Sequence, residues 1–206
     1  LIDSGLSTGQ RVKPFDDGCA ANDEFQSTLG GSHRGELIRD LLRQRIRMPE
    51  PVPNYLKRPA LTEKLTAAIT PGSALLLEAP SGYGKTHALS AAFRETSRSP
   101  DTLRWLGLTG QENDAGRLLA LLEIALTPPG ATSRPSGQQK ASSNTDALAL
   151  LLSDAHWSDP DRDSVLVIDN VGTVANPAAI ALLQQLVENI PSGLALVMVS
   201  RKPLPF

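Results

Sequence analysis

The sequence predicts an α/β protein in which helices cover a parallel β-sheet. Short apolar runs alternate with segments of helical periodicity, the order expected when parallel strands are joined by right-handed crossovers. Two of these runs, 164–169 and 194–199, are apolar at almost every position, as in strands buried on both faces. A glycine-bearing loop joins a third apolar run, 74–78, to a helical segment. These observations together decide the fold class.

Length, charge and cysteine content exclude several classes of protein. The 206 residues have a net charge of −2 and one cysteine, Cys19. This is enough chain for one α/β domain with flanking segments, without a strongly basic surface for nucleic acid and without an internal disulfide. No apolar run approaches the roughly 20 residues that span a membrane. We therefore expect a cytoplasmic protein that does not bind membranes.

Residues 1–50 are predicted to be a leader, mostly mobile, because they are rich in Gly, Ser, Asp and Asn without a sustained period. Within the leader, leucines and isoleucines at helical spacing predict a helix over 36–47 with a solvated arginine face. A proline-rich stretch over 48–53 predicts a stiff, extended linker. The domain itself is expected to cover 51–206.

The first half of the domain is predicted to contain two helices and two strands. Thr62 can cap the first helix, and Pro71 with Gly72 ends it before the first strand. Trp105, in the second strand, is expected to pack against a helix. In chain order these elements cover 62–69, 74–78, 85–96 and 102–108.

The second half is predicted to contain three helices and two strands. Asn113 or Asp114 can cap a helix with a leucine stripe that reaches Leu126, and Asn176 before Pro177 is a strong helix start. Between them, residues 127–144 are rich in Gly, Ser and Pro and predict a flexible surface insertion. The remaining elements cover 145–156, 164–169, 177–190 and 194–199.

The loop after the first strand has the pattern of a phosphate-binding site. It fits G-x-x-x-x-G-K-[ST] at Gly84, Lys85 and Thr86, with Ala79 in place of the first glycine. Glycines reach positive φ, so that backbone N–H groups can face phosphates at the positive end of a helix dipole. Lys85 can reach the β- and γ-phosphates, and the Thr86 hydroxyl can ligate Mg²⁺. The alternative interpretation is an ordinary glycine-rich turn.

Asp169 ends the buried strand over 164–169, at the sheet edge where open α/β folds bind ligands. One carboxylate there can hold Mg²⁺, usually through water. A solvent-facing acid at a strand end is the alternative, but the phosphate loop upstream favours the metal. The loop and Asp169 together predict the three-layer sandwich of P-loop NTPases, and we expect it to be truncated after the fourth core strand.

With these motifs in place, the sequence resembles the nucleotide-binding domain of STAND ATPases, and in particular the large ATP-binding transcriptional regulators of the LuxR type. The resemblance covers roughly 51–206. It lies in four motifs: Leu56-x-Arg58-Pro59-x-Leu61, Pro80-Ser81-Gly82-Tyr83-Gly84-Lys85-Thr86, Val167-Ile168-Asp169-Asn170 and Val199-Ser200-Arg201.

The resemblance implies a role for each matching residue. Lys85 would contact the phosphates of ATP or ADP, Thr86 and Asp169 would hold Mg²⁺, and Arg201 resembles the sensor that faces the γ-phosphate. The nucleotide contacts it implies are Arg58, Ala79, Pro80, Ser81, Gly82, Tyr83, Gly84, Lys85, Thr86 and His87. Family members switch between resting and active assemblies with ADP or ATP, so self-association through this domain is expected. They bind DNA through a C-terminal output domain, which we expect this chain to lack.

Three departures from the family pattern qualify these expectations. Asn170 stands where a second acid often activates water, and an amide cannot accept that proton, so we expect slow hydrolysis at best. His87 replaces a residue that is usually Thr or Ser near the α-phosphate. In the family the sheet continues with a strand beside the first one, whereas here we expect the first strand to lie at an uncovered sheet edge. Two alternatives remain open, a P-loop ATPase or kinase and a truncated remnant that no longer binds nucleotide.

Overall fold

Within the described residues, four strands form one parallel sheet in the order β1-β4-β3-β2. The computed structural model of the protein describes residues 46–50, 53, 55–96, 102–127, 142–153 and 163–206. The strands are β1 (Ala74–Glu78), β2 (Leu103–Gly107), β3 (Ser164–Asp169) and β4 (Leu194–Ser200). Because all three strand pairs are parallel, every connection must cross over the sheet.

Helices make these crossovers and form the outer layers. They are α1 (Pro59–Ala68), α2 (Lys85–Glu95), α3 (Ala115–Leu126), α4 (Asn144–Leu152) and α5 (Pro177–Glu188), with a 3₁₀ turn over Val171–Thr173. Two of the predicted caps are confirmed. The Asp114 carboxylate accepts a hydrogen bond from Arg117 N at the start of α3, and the Asn176 side chain accepts one from Ala178 N at the start of α5.

Two predicted helix boundaries are wrong. The first helix begins at Pro59 rather than Thr62, because proline suits the first helical position, and Thr62 lies buried inside the helix. The helix after the insertion starts at Asn144, capped by the Ser143 hydroxyl, and ends at Leu152 rather than near residue 156. Pro59 at the first helical position and the Ser143 cap therefore set the starts of these two helices.

The two faces of the sheet carry different helices. One face packs against α3, α4 and α5 through side chains such as Leu106, Leu166 and Met198. The opposite face packs against α2 through Val167 and Val197. As predicted, β3 and β4 are buried on both sides, since they are the two central strands. The predicted α/β class is therefore confirmed, with a parallel sheet between two layers of helices.

Trp105 fills the face that α2 covers. Its exposed fraction is 2%, and its ring meets that of Phe93 edge-on, with centroids 6.4 Å apart and an interplanar angle of 84°. This edge-to-face arrangement is one that aromatic pairs prefer. The expectation that Trp105 packs against a helix is confirmed.

Strand β1 forms one edge of the sheet, as expected. Within the described ranges, no strand pairs with its outer side. Leu75 and Leu77 are partly buried against α1 and α2, whereas Leu76 points to the other face and is 42% exposed. Helices α1 and α2 therefore cover only the face of β1 that carries Leu75 and Leu77.

Several predictions fall on residues outside the described ranges. Of the helix predicted over 36–47, the residues up to 45 lie outside the described ranges. The last two, Ile46 and Arg47, form a bend. Most of the insertion over 127–144 also lies outside the described residues. Part of the linker is described, and there the Arg94 guanidinium donates a 2.8 Å hydrogen bond to Pro49 O. None of the helices in the described part of the chain is long and apolar enough to cross a membrane.

Candidate phosphate and metal site

The loop between β1 and α2 owes its shape to two glycines. Gly82 has φ +85° and Gly84 has φ +75°, backbone conformations that L side chains rarely adopt. A Cβ placed at either glycine would meet nothing within 4 Å, so the requirement is for conformation and not for space. Gly84 is the N-cap of α2, and its carbonyl accepts the first helical hydrogen bond from Ala88 N at 2.8 Å. The loop therefore ends at the positive end of a helix.

Lys85 folds back onto the loop that precedes it. Its Nζ donates to Ala79 O and, at 2.9 Å, to Pro80 O. An ammonium group has three donors, so at least one remains for an anionic ligand in the cavity beside it. These two carbonyls place a positive charge at the base of the loop, where phosphate oxygens would meet it.

The two residues predicted to hold a metal lie in direct contact. Thr86 Oγ1 donates to Asp169 Oδ2 at 2.8 Å, although 83 positions separate them in the sequence. Thr86 is in the first turn of α2, and Asp169 is the last residue of β3. Strand order explains the meeting, because β4 brings the end of β3 close to the loop that follows β1. A hydroxyl next to a carboxylate is a donor set that suits a hard cation such as Mg²⁺.

A cavity of about 470 Å³ opens over these groups. Of the predicted site residues, it brings together Ser81, Gly82, Gly84, Lys85, Thr86, His87, Asp169, Asn170 and Arg201. Among the described residues that line it, Asp169 is the only acidic one, beside the cationic groups of Lys85 and Arg201. With the helix N-terminus added, the lining has the electrostatics expected for a polyanion accompanied by one metal ion.

Four of the predicted contacts do not line the cavity. Ala79 and Pro80 act through their carbonyls, which hold Lys85. Tyr83 stands 66% exposed on the loop. Arg58 lies at the start of α1, where its carbonyl accepts hydrogen bonds from Leu61 N at 3.0 Å and Thr62 N at 2.9 Å. Arg58 is therefore the N-cap residue of α1.

Asn170 ties the end of β3 to the end of β2. It adopts φ 64°, the only positive φ among the non-glycine residues described. Its amide donates a 2.9 Å hydrogen bond to Leu108 O, and Leu108 N donates a 3.0 Å bond to Asp169 O. Asparagine tolerates the left-handed region because its short polar side chain can form local hydrogen bonds. The position predicted for catalysis therefore carries a structural amide that lines the cavity.

Sequence reasoning missed the contribution of the loop after β2. The cavity is also lined by Gly107, Leu108, Thr109, Val199 and Ser200. Glu112 is only 2% exposed, and its Oε2 accepts hydrogen bonds from Thr109 N at 2.8 Å and Thr109 Oγ1 at 3.2 Å. The Glu112 carboxylate thus closes a local turn onto Thr109, and the spacing Thr-x-x-Glu could have indicated this contact. The turn holds Thr109 at the wall of the cavity.

Three solved structures show how far the chain resembles known proteins. No protein-family profile and no curated protein matches it. The structure of Drosophila ORC bound to DNA is 23% identical over 67% of this chain and 34% of that chain, with a TM-score of 0.45. Cdc6p from Pyrobaculum aerophilum is 21% identical over 73% of this chain and 42% of that chain, with a TM-score of 0.45. C. elegans PCH-2 is 12% identical over 71% of this chain and 36% of that chain, with a TM-score of 0.38. The matches span less than half of each of those chains. At these TM-scores the likeness says nothing about a ligand, which only the side chains of the site can indicate.

Proposed function

We propose that this chain is an ATP/ADP-binding switch module of a multidomain bacterial transcriptional regulator, with slow or no hydrolysis. The observation that carries the proposal is the 2.8 Å contact between Thr86 Oγ1 and Asp169 Oδ2, beneath a loop that opens a helix. A glycine-rich turn without a ligand would not require a hydroxyl and a carboxylate from distant parts of the chain to meet at its base.

Each part of the ligand has a matching group in this proposal. The backbone N–H groups around Gly82 and Gly84 would bind phosphate oxygens, and Lys85 would supply charge. Thr86 and Asp169 would hold Mg²⁺, with the remaining ligands from phosphate and water. When bound, Mg²⁺ neutralises part of the charge on the β- and γ-phosphates.

Slow hydrolysis follows from the state of Asn170. Its amide nitrogen is engaged with Leu108 O, and an amide does not accept a proton from water at neutral pH. Asp169, the one acid lining the cavity, is bonded to Thr86 and assigned to the metal. A module of this kind would retain its nucleotide and report its identity rather than turn it over rapidly.

The regulatory part of the proposal is supported by the resemblance to STAND ATPases. In those proteins the exchange of ADP for ATP changes assembly, and a separate C-terminal domain binds DNA. We accordingly propose cytoplasmic location, self-association through this domain, and DNA binding only through a domain other than this one.

The test is a calorimetric titration of Mg-ATP and Mg-ADP into the wild-type chain, Lys85→Ala and Lys64→Ala. Lys85→Ala removes the ammonium at the loop and is expected to lower affinity about 100-fold, the range for losing a charged contact. Lys64 is an exposed residue of α1 outside the cavity, so Lys64→Ala should bind as wild type does.

Two outcomes would contradict the proposal. A wild-type chain that is folded by circular dichroism but binds neither nucleotide would favour the remnant. Turnover of several ATP per second, measured as phosphate release, would favour an enzyme over a switch.

A further inference from the structure

Ser200, the last residue of β4, is a polar side chain with no exposed surface. Its exposed fraction is 0%, yet it belongs to the lining of the cavity. The Ser200 hydroxyl donates a 2.5 Å hydrogen bond to Lys202 O and accepts a 3.3 Å bond from Lys202 N. Both partners belong to the backbone of one residue two positions on. The hydroxyl therefore closes a tight turn with Arg201 at its centre.

This turn is held between the two halves of the site. On the phosphate side, Ala79 N at the start of the loop donates a 3.3 Å hydrogen bond to Ser200 O. On the metal side, the turn lies against Gly172. This glycine belongs to the 3₁₀ turn over Val171–Thr173, which follows Asp169 and Asn170. A Cβ added to Gly172 would lie 3.0 Å from Ser200 Oγ and 3.4 Å from Lys202 Cγ. A side chain at position 172 would therefore force Ser200 Oγ to move by a few tenths of an ångström.

Arg201 itself has no such support from its own side chain. It is exposed, lines the cavity, and has no hydrogen bond or ion pair to another described residue. A long side chain of this kind samples many rotamers, so the direction in which it leaves the backbone decides what it can reach. The Ser200 hydroxyl closes the turn from which this side chain leaves the backbone.

We propose that Ser200 is a positioning residue that, with Gly172, aims Arg201 at the terminal phosphate that distinguishes ATP from ADP. This rests on the proposed function, because it assigns a cause to nucleotide discrimination at the same site. A purely structural Ser200 would support folding and affect both nucleotides equally. The quantity that separates the two roles is the ratio of the Kd for Mg-ADP to the Kd for Mg-ATP.

The experiment measures both Kd values for wild type, Arg201→Ala, Ser200→Ala and the double variant. We expect the wild type to bind Mg-ATP more tightly and Arg201→Ala to lose that preference. Ser200→Ala should lower the Kd ratio by up to about tenfold, the range for a net hydrogen bond, and leave the Kd for Mg-ADP unchanged. In the Arg201→Ala background the same substitution should change the ratio no further, because the two residues act as one unit.

Gly172→Ala provides an independent test, and Gly116→Ala its matched control. The first adds a methyl that must push Ser200 Oγ or Lys202 away, so the Kd ratio should fall as in Ser200→Ala. The second adds a methyl in α3, where the nearest contact is Asp114 Oδ1 at 3.4 Å, and should leave the ratio unchanged. Ser200→Thr keeps the hydroxyl and is expected to keep the ratio.

Each remaining outcome decides against one level of the argument. Wild type that binds neither nucleotide overturns the proposed function and this inference with it. A wild-type ratio that Arg201→Ala does not change overturns the inference alone, as does a Ser200→Ala variant in which both affinities fall together. If Ser200→Ala does not fold by circular dichroism, Gly172→Ala decides, and an unchanged ratio in that folded variant overturns the inference.

Discussion

The phosphate loop and the strand ends beneath it are organised in different ways. Residues 81–84 of the loop are exposed. The loop is shaped by positive φ at two glycines and by hydrogen bonds from Lys85 to the carbonyls of Ala79 and Pro80. The strand ends are joined by side chains that reach between elements, such as Asn170 to Leu108 O and Asn113 to the segment before α5.

This difference teaches where function and stability separate in the molecule. The phosphate loop takes its shape from local backbone conformation, so substitutions there should change nucleotide affinity more than the free energy of unfolding. The strand ends depend on hydrogen bonds between distant elements, such as those of half-buried Asn170 and exposed Asn113, so most substitutions there should also lower the free energy of unfolding. The predictions below compare the two sides.

The largest expected effect is that of Asp169→Ala. It removes the one carboxylate that lines the cavity, so the affinity for Mg-ATP should fall about 100-fold, the upper range for loss of a metal ligand's support. Titrations with Mg²⁺ and with EDTA check this, since metal-free ATP should bind the variant as well as it binds wild type. Equal losses in both conditions would mean that Asp169 supports the fold instead of the metal.

Gly84→Ala tests the loop in isolation. Alanine at φ +75° is strained by about 1–2 kcal/mol, and relaxation of the loop would misalign its N–H groups. If the loop relaxes in the free protein to relieve that strain, nucleotide must restore the strained conformation, so affinity should fall about tenfold. The thermal midpoint should change little, because the relaxed loop no longer carries the strain. Gly116→Ala again serves as the control. A variant that binds normally would show that the loop reshapes itself around the ligand.

Asn170→Asp tests the strand ends. An aspartate cannot donate to Leu108 O, and its carboxylate would face that carbonyl, at a cost of about 1–2 kcal/mol. The thermal midpoint should drop by about 3–6 °C for a chain of this size. ATP hydrolysis should stay slow, because a carboxylate repelled from Leu108 O is not held where it could take a proton from water. An unchanged midpoint together with rapid hydrolysis would mean that the amide is dispensable and that only the missing acid limits turnover.

Asn113→Ala should have the smallest effect and should change stability alone. The Asn113 Oδ1 accepts hydrogen bonds from Ala175 N at 2.8 Å and Asn176 N at 2.6 Å, and the residue does not line the cavity. Losing this acceptor should cost about 1 kcal/mol in urea unfolding. Nucleotide affinity should match wild type, and a drop would show that the strand-end contacts also transmit to the site.

Local sequence signals determined much of this protein. The two buried central strands, the phosphate loop and the caps at Asp114 and Asn176 all follow from apolar periodicity, glycine placement and capping chemistry. These signals are local because each depends on residues within a turn or two of one another. They misjudged the start of α1, where Pro59 takes the first helical position, and the end of α4 at Leu152.

Only the tertiary structure decided which of these local features meet. Nothing in the spacing reveals that β4 lies between β1 and β3, and that order brings Thr86 to Asp169 and Ser200 to Gly172. The left-handed conformation of Asn170 likewise depends on Leu108, 62 residues upstream. Such contacts arise from packing between distant elements, which a period of two or of 3.6 residues does not encode. The sequence named the candidate site residues through local motifs, and the strand order determined which of them are in contact.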